Sequence, residues 1–180
     1  SPTVAGLLHD SGYRTGLFGK AHFEPFLDPF LRFPENRMGV SGATHDEAGP
    51  HRGFERMEFA GHGAAGLVHY GSWLRDNHPE HMAGYFPVLD MTLEVNHEGG
   101  GDTGAPQVKH NTVPRGIYHT DWVADRAISW LDGLDSAEDW FCWLSFPDPH
   151  HPWNPPQSEL HRVPWRDLDL PEGYPEDASE

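Results

Sequence analysis

TVAGLLHDSGYRTGLFGKAH, residues 3–22, is the stretch that decides the fold. Its first half carries Val4, Leu7 and Leu8, which are apolar residues at helical spacing. The Ser-Gly pair that follows is typical of a helix C-terminus, because glycine readily adopts the conformation that ends a helix. The pattern therefore predicts a helix over residues 3–11.

A short strand is predicted directly after this helix. Tyr13 to Phe18 mixes aromatic, β-branched and apolar residues and stops at Gly19. Lys20 and His22 would then lie at the end of a strand, where ligands bind in open α/β sheets. If the segment stays extended, both side chains point the same way and can reach one anion. A lysine and a histidine at this spacing also fit a solvated surface pair, which is common on acidic proteins.

A second helix and strand are predicted in the last third of the chain. Thr120 is a candidate N-cap, and the apolar face that follows consists of Val123, Ala127, Trp130, Leu131 and Leu134. Trp140 to Phe146 is a nearly continuous apolar run, which is typical of a strand covered on both faces. The alternation of helix and strand predicts an α/β fold with a mostly parallel sheet.

The middle of the chain, residues 24–115, breaks every apolar run with Gly, Pro, Asn, Asp or His. It is predicted to be mostly loop, and irregular excursions of this length are commonly functional. Overall the 180 residues carry a formal net charge of −16 with only 12 Lys and Arg. This balance argues against a nucleic-acid partner, which needs a basic surface. No apolar run approaches membrane-spanning length.

Two short motifs of this chain resemble those of type I sulfatases. Gly19-Lys20-Ala21-His22 looks like the family's Gly-Lys-x-His motif, and Pro149-His150-His151-Pro152 looks like its Pro-His-x-Pro loop. Intervening segments are similar to those of bacterial members: Gly53-Phe54-Glu55-Arg56, Gly61-His62-Gly63, His69-Tyr70-Gly71-Ser72-Trp73-Leu74 and Asp121-Trp122-Val123-Ala124-Asp125-Arg126. The resemblance implies an alkaline phosphatase-like α/β fold, of which residues 1–180 are expected to be an internal part.

The resemblance also implies that the whole chain, residues 1–180, belongs to one sulfatase catalytic domain. Residues 24–115 form its substrate-side excursion, and residues 116–156 supply the helix, the strand and the Pro-His loop.

The activity that the resemblance implies is hydrolysis of sulfate monoesters through a formylglycine nucleophile. Lys20 is expected to contact sulfate oxygens, and His22 to hydrogen-bond the formylglycine hydroxyl and help expel sulfate. His150 is expected to protonate the leaving oxygen, since an alkoxide needs an acid and imidazole titrates near neutrality. His62 is a weaker candidate for contact with the substrate, which would be a sulfated small molecule or glycan.

The nucleophile and the metal ligands of the family are expected outside residues 1–180. Members hold one divalent cation, Ca²⁺ or Mg²⁺, through oxygen ligands from motifs that are not found in this sequence. Cys142 lies inside an apolar run and is expected to be a structural thiol, not the nucleophile. The cytoplasm and the periplasm both remain open as locations.

Two other functions remain open at the level of sequence. A phosphonate monoester hydrolase or phosphodiesterase of the same superfamily would share much of the scaffold. An inactive module that binds sulfated glycans or metal ions could also retain it, because fold does not determine function.

Overall fold

The computed structural model describes residues 2–25, 30, 32–37, 49–61, 68–84, 113–150, 153, 155–159, 162–164 and 167–172. In chain order the helices and strands are α1 (Val4–Asp10), β1 (Arg14–Gly19), α2 (Pro34–Arg37), β2 (Arg56–Phe59), α3 (Val68–Asn77), α4 (His119–Asp132) and β3 (Trp140–Ser145). Short 3₁₀ turns cover Pro79–Gly84, Arg115–Ile117 and Gln157–Glu159.

The three strands form a parallel sheet in the order β2-β1-β3, with β1 in the centre. Gly19, the last residue of β1, is paired with Phe59 on β2 and with Ser145 on β3. All three strands therefore end in register at one edge of the sheet, which is referred to below as the carboxyl edge. This small parallel sheet with its helices is consistent with the predicted α/β fold.

The two faces of β1 lead into two separate cores, because successive side chains of a strand point to opposite faces. Phe18 packs in a core with α3 and α4, where Tyr70 and Trp122 are also buried. Leu17 packs on the other face, in a core with α1 that includes Phe54. Both faces of the central strand are thus fixed by packing.

The first helix and strand confirm the prediction from the sequence. Thr3 caps α1, since its Oγ1 accepts a hydrogen bond of 3.0 Å from the Gly6 amide. The predicted cap of α4 is wrong, because the helix begins at His119 and Tyr118 occupies the N-cap position. Thr120 lies in the first turn, where its hydroxyl donates to Asp148 at 3.3 Å.

The prediction that β3 is covered on both faces is wrong for the residues that the structure describes. Trp140, Trp143 and Leu144 are 52%, 43% and 44% exposed. Within the described ranges β3 pairs only with β1, so it is an edge strand. An apolar run indicates that a strand favours burial, but it does not say which segment covers it.

The stretch at 24–115, expected to be mostly loop, contains α2, β2 and α3. β2 has four residues, and two of them, Arg56 and Glu58, are charged, so its sequence gives a weak strand signal. Glu58 is nevertheless buried beside Arg56, whose Nη2 donates to its carboxylate at 2.7 Å. None of the described helices has the length and apolar character needed to cross a membrane.

Candidate functional site

The site begins where β1 ends, and hydrogen bonds hold the chain there from both sides. The Lys20 amide donates to the Ser145 carbonyl at 2.8 Å, and the Gly19 carbonyl accepts from the Ala60 amide at 2.9 Å. The start of the loop after β1 is therefore tied to the ends of β2 and β3. Lys20 is held by its backbone at the carboxyl edge of the sheet.

Glycine is required at position 19 for this turn. Gly19 has φ +104°, in the left-handed region that side chains disfavour. A Cβ at this position would overlap the carbonyl oxygen of Ser145, and it would lie 3.2 Å from Val123. The close approach that Gly19 permits is what lets the Lys20 amide reach Ser145.

The Lys20 side chain is partly buried, and this burial lowers the pKa of its ammonium below the ordinary value of 10.5. Desolvation penalises the charged form of the amine, so a bound anion at this position would favour it again. Lys20 therefore differs from a fully solvated surface lysine.

His22 is exposed and lies two residues beyond Lys20, after the buried Ala21. Because β1 ends at Gly19, the segment from Lys20 to His22 is a loop, and the expected alternation of an extended strand does not govern it. The following residue, Phe23, packs its ring 5.8 Å from Trp143 on β3. His22 is therefore held between two anchored positions, Ala21 and Phe23.

The second part of the site follows β3. His150 is exposed at the end of a tight turn, in which its amide donates to the Pro147 carbonyl at 3.1 Å. The indole Nε1 of Trp153 donates to the Pro149 carbonyl at 2.9 Å. The loop therefore leaves the carboxyl edge beside Lys20, as the sequence predicts, and it has its own internal hydrogen bonds.

The structure brings Lys20, His22 and His150 to the loops that leave two adjacent strands at one edge. His62, the weaker candidate, and His151, the neighbour of His150, lie outside the described residues. Cys142 is partly buried on β3 against the core, and burial raises the pKa of its thiol. A raised pKa fits the expected structural thiol.

The sequence did not predict that polar residues from the start of α4, among them His119, surround the loop after β3. Asp148 accepts hydrogen bonds from the Tyr118 hydroxyl at 3.0 Å and from Thr120 at 3.3 Å. His119 is buried, with its Nε2 3.8 Å from the Asp148 carboxylate, and burial lowers the pKa of His119 to about 4. These residues are about thirty positions apart in the sequence and come into contact only when the chain folds.

A second missed cluster consists of Glu24, Glu35 and His51, whose possible ligand atoms lie within 4.8 Å of one another. The Glu35 carboxylate accepts hydrogen bonds from the amides of Phe23 and Glu24, and it lies 3.1 Å from His51. The Glu24 carboxylate accepts from the Glu35 amide and from Arg52.

Because their oxygens are already engaged, these carboxylates fit a structural network that anchors the chain after His22 and not a vacant metal site. We assign no metal to this group.

A cavity of about 560 Å³ lies elsewhere, next to the residues that begin β1 and β2. It is lined by Arg14, Glu55, Arg56, Glu58, Arg126, Ser129 and Trp130. Its arginines are paired with glutamates, for example Arg14 with Glu138 at 2.8 Å. The carboxyl edge, and not this cavity, holds the candidate residues.

Comparison with known proteins gives one informative similarity. The chain is 22% identical to an arylsulfatase of Clostridium perfringens (strain 13 / Type A) over 181 residues, which cover 94% of this chain and 31% of the relative. No family model matches, and no solved structure matches. The chain thus spans about a third of the length of the curated relative. The similarity is to an arylsulfatase, which agrees with the resemblance of the sequence motifs to those of sulfatases.

Proposed function

We propose that this chain is part of an enzyme that hydrolyses sulfate monoesters by S–O cleavage, with Lys20, His22 and His150 in its active site. The observation that carries the proposal is the hydrogen bond of 2.8 Å from the Lys20 amide to the Ser145 carbonyl, which joins the start of the loop after β1 to the end of β3, where the loop with His150 begins. The similarity to an arylsulfatase over nearly the whole chain supports the choice of substrate class.

Lys20 is proposed to bind the nonbridging oxygens of the sulfate group. A lysine ammonium is a compact charge with three donors, which suits a tetrahedral anion. The chain as a whole repels anions, with 28 Asp and Glu against 12 Lys and Arg. The partly desolvated Lys20 ammonium at the end of β1 attracts an anion locally despite the negative net charge of the chain, because Coulomb interactions strengthen as water is removed.

His150 is proposed as the general acid that protonates the leaving alcohol oxygen. Its exposed imidazole can take up a proton from water and deliver it, and its backbone is fixed by the turn at Pro147. His22 is proposed to hydrogen-bond the formylglycine hydroxyl and, by taking up the proton of that hydroxyl, to help expel sulfate. Both roles use the ability of imidazole to exchange a proton near neutral pH.

The rest of the proposed chemistry needs groups from outside residues 1–180. A formylglycine, as a hydrated aldehyde, would supply the nucleophilic hydroxyl, and a Ca²⁺ or Mg²⁺ ion would supply positive charge for the sulfate oxygens. The carboxylates of Glu24 and Glu35 do not fit this ion, because hydrogen bonds already occupy them. This chain contributes Lys20, His22 and His150 to the proposed site.

The test is hydrolysis of a nitrophenyl sulfate by the product of the complete reading frame that encodes this chain. A nitrophenyl phosphate diester and a phosphonate monoester serve as competing substrates. We expect the sulfate ester to have the highest kcat/KM, and we expect ¹⁸O from labelled water to enter sulfate and not the phenol. The 180-residue chain expressed alone is expected to be inactive, since the proposed nucleophile is not part of it.

A preference for the phosphonate or the phosphodiester would replace the proposed substrate class. Binding of sulfated glycans without turnover would favour an inactive module instead. Turnover by the purified 180-residue chain would refute the placement of the nucleophile outside it.

A further inference from the structure

The loop that carries His150 is fastened to the start of α4 through one carboxylate. Asp148 accepts hydrogen bonds at a single oxygen, Oδ2, from the Tyr118 hydroxyl at 3.0 Å and from the Thr120 hydroxyl at 3.3 Å. Its other oxygen, Oδ1, lies 3.8 Å from Nε2 of His119. Three consecutive residues of α4 and its N-cap thus surround the side chain that stands two positions before His150.

The beginning of α4 is a favourable place for this carboxylate. Tyr118 is the N-cap residue, and the helix that follows has 14 residues. The N-terminus of a helix carries partial positive charge, which stabilises a nearby anion. Hydrogen bonds to an ionised acceptor are also stronger than those between neutral groups. Asp148 therefore has both a charge and donors to hold it in place.

The hydroxyl donors around Asp148 keep their protons over the whole pH range in which proteins function. Burial and the neighbouring Asp148 charge raise the pKa of Tyr118, so the phenol remains a donor. Burial lowers the pKa of His119 to about 4, so this imidazole is neutral at physiological pH. The anchor is consequently a carboxylate held by hydroxyl donors next to a neutral ring, and its geometry does not depend on an ion pair with His119.

This anchor and the turn act on the same short segment. The amide of His150 donates back to Pro147, and Asp148 lies inside that turn. A displacement of Asp148 from Tyr118 and Thr120 would move the turn and the imidazole that it carries. Lys20, which directly follows the neighbouring strand β1, would stay in place because its amide is hydrogen-bonded to Ser145, before the turn begins.

We propose that Asp148 is a positioning residue, which acts through His150 by fixing the Pro147–His150 turn to the start of α4. This inference rests on the proposed function for its kinetic readout. A positioning residue affects the step that needs the acid, while binding of sulfate at Lys20 is retained.

The experiment measures kcat and KM of the complete reading-frame product on an alkyl sulfate and on a nitrophenyl sulfate. Asp148→Ala should lower kcat for the alkyl ester by about 10-fold or more, which is a part of the roughly 10²–10⁴-fold that general acid catalysis contributes. It should change KM little and affect the nitrophenyl ester much less, because that leaving group needs little protonation. Tyr118→Phe should give the same pattern at smaller size.

Asp121→Ala is the matched control, since Asp121 is a carboxylate in the same helical turn that pairs with Arg115 at 3.3 Å. It should leave the ratio of the two rates unchanged. The double variant Asp148→Ala/His150→Ala should be no slower on the alkyl ester than His150→Ala alone, because two residues that act as one unit are not additive. Additive losses, or equal losses on both esters, would overturn the proposal.

A second readout keeps the inference independent of the substrate class. Asp148→Ala should shift or broaden the ring signals of His150 in an NMR spectrum, with those of His9 on α1 unchanged. If the wild-type protein hydrolyses no sulfate ester but these signals change, the proposed function fails and the positioning role stands. Unchanged His150 signals would refute the positioning role.

Discussion

Replacing Gly19 by alanine tests the turn on which the candidate site depends. The new Cβ would overlap the Ser145 carbonyl oxygen, and the residue would have to keep φ +104°. Backbone strain of this kind costs roughly 1–3 kcal/mol. Displacing Ser145 also weakens its hydrogen bond with the Lys20 amide, which is worth roughly 0.5–1.5 kcal/mol. The two costs together predict a loss of about 1.5–4.5 kcal/mol in the free energy of unfolding.

Two other glycines separate these contributions. Gly12 has φ +93°, but a Cβ added there would have no neighbour within 4 Å, so Gly12→Ala should show the strain without the overlap. Gly116 has neither a left-handed φ nor a neighbour at that distance, so Gly116→Ala should change the free energy by no more than about 0.5 kcal/mol. The expected order of destabilisation is Gly19, then Gly12, then Gly116.

The assay is chemical denaturation of the complete reading-frame product, together with activity measured on the folded fraction. Gly19→Ala should lose activity beyond its loss of folded protein, because the overlap displaces Lys20 relative to β3. Gly12→Ala should keep full activity per folded molecule. Equal stability of the Gly19→Ala and Gly116→Ala variants would mean that a side chain at position 19 is not strained, contrary to this prediction.

Three further predictions concern the charged and titratable groups. Lys20→Ala should reduce turnover by about 10²-fold or more, which is the scale of one lost electrostatic contact, and Lys20→Arg should restore little of it. Lys109→Ala is the control for the loss of a lysine. Normal kinetics of Lys20→Ala would refute the role proposed for Lys20. His150→Ala should slow alkyl sulfates far more than nitrophenyl sulfates, whereas His151→Ala should affect both modestly; the reverse pattern would move the acid to His151. Because His119 has a pKa of about 4 when folded and about 6.5 when unfolded, only the unfolded state takes up a proton as the pH falls between these values. His119 should therefore lower the free energy of unfolding by about 3 kcal/mol as the pH falls over that interval. If the free energy of unfolding of a His119→Phe variant depended on pH just as steeply, the burial of a neutral imidazole would be contradicted.

The local pattern was sufficient to predict the elements whose sequence is regular. The stripe of Val4, Leu7 and Leu8 and the run before Gly19 predicted α1 and β1 nearly to the residue, because periodicity reflects which face is buried. The placement of Lys20 at the end of a strand followed from the same pattern. β2 escaped prediction because its four residues are held by pairing with β1 and not by their own preferences.

The polar environment of the site could not be predicted from the sequence. Asp148 meets Tyr118 only because α4 packs against β1 and returns the chain to β3 beside it. Thr120 was predicted to be an N-cap because of its residue type. Its hydroxyl instead donates a hydrogen bond to Asp148, and the helix begins one residue earlier, at His119. Such contacts depend on tertiary packing, which a single sequence does not encode at fixed spacings.

The most direct test of the account is an NMR titration of the Lys20 ammonium through its ¹³Cε signal, assigned by its absence in Lys20→Arg. In the free protein burial should hold the pKa of Lys20 below the ordinary 10.5, and added sulfate should raise that pKa. The signal of Lys109 should not respond to sulfate. A Lys20 that titrates like an exposed lysine and ignores sulfate would contradict the claim that the carboxyl edge of this sheet is an anion site.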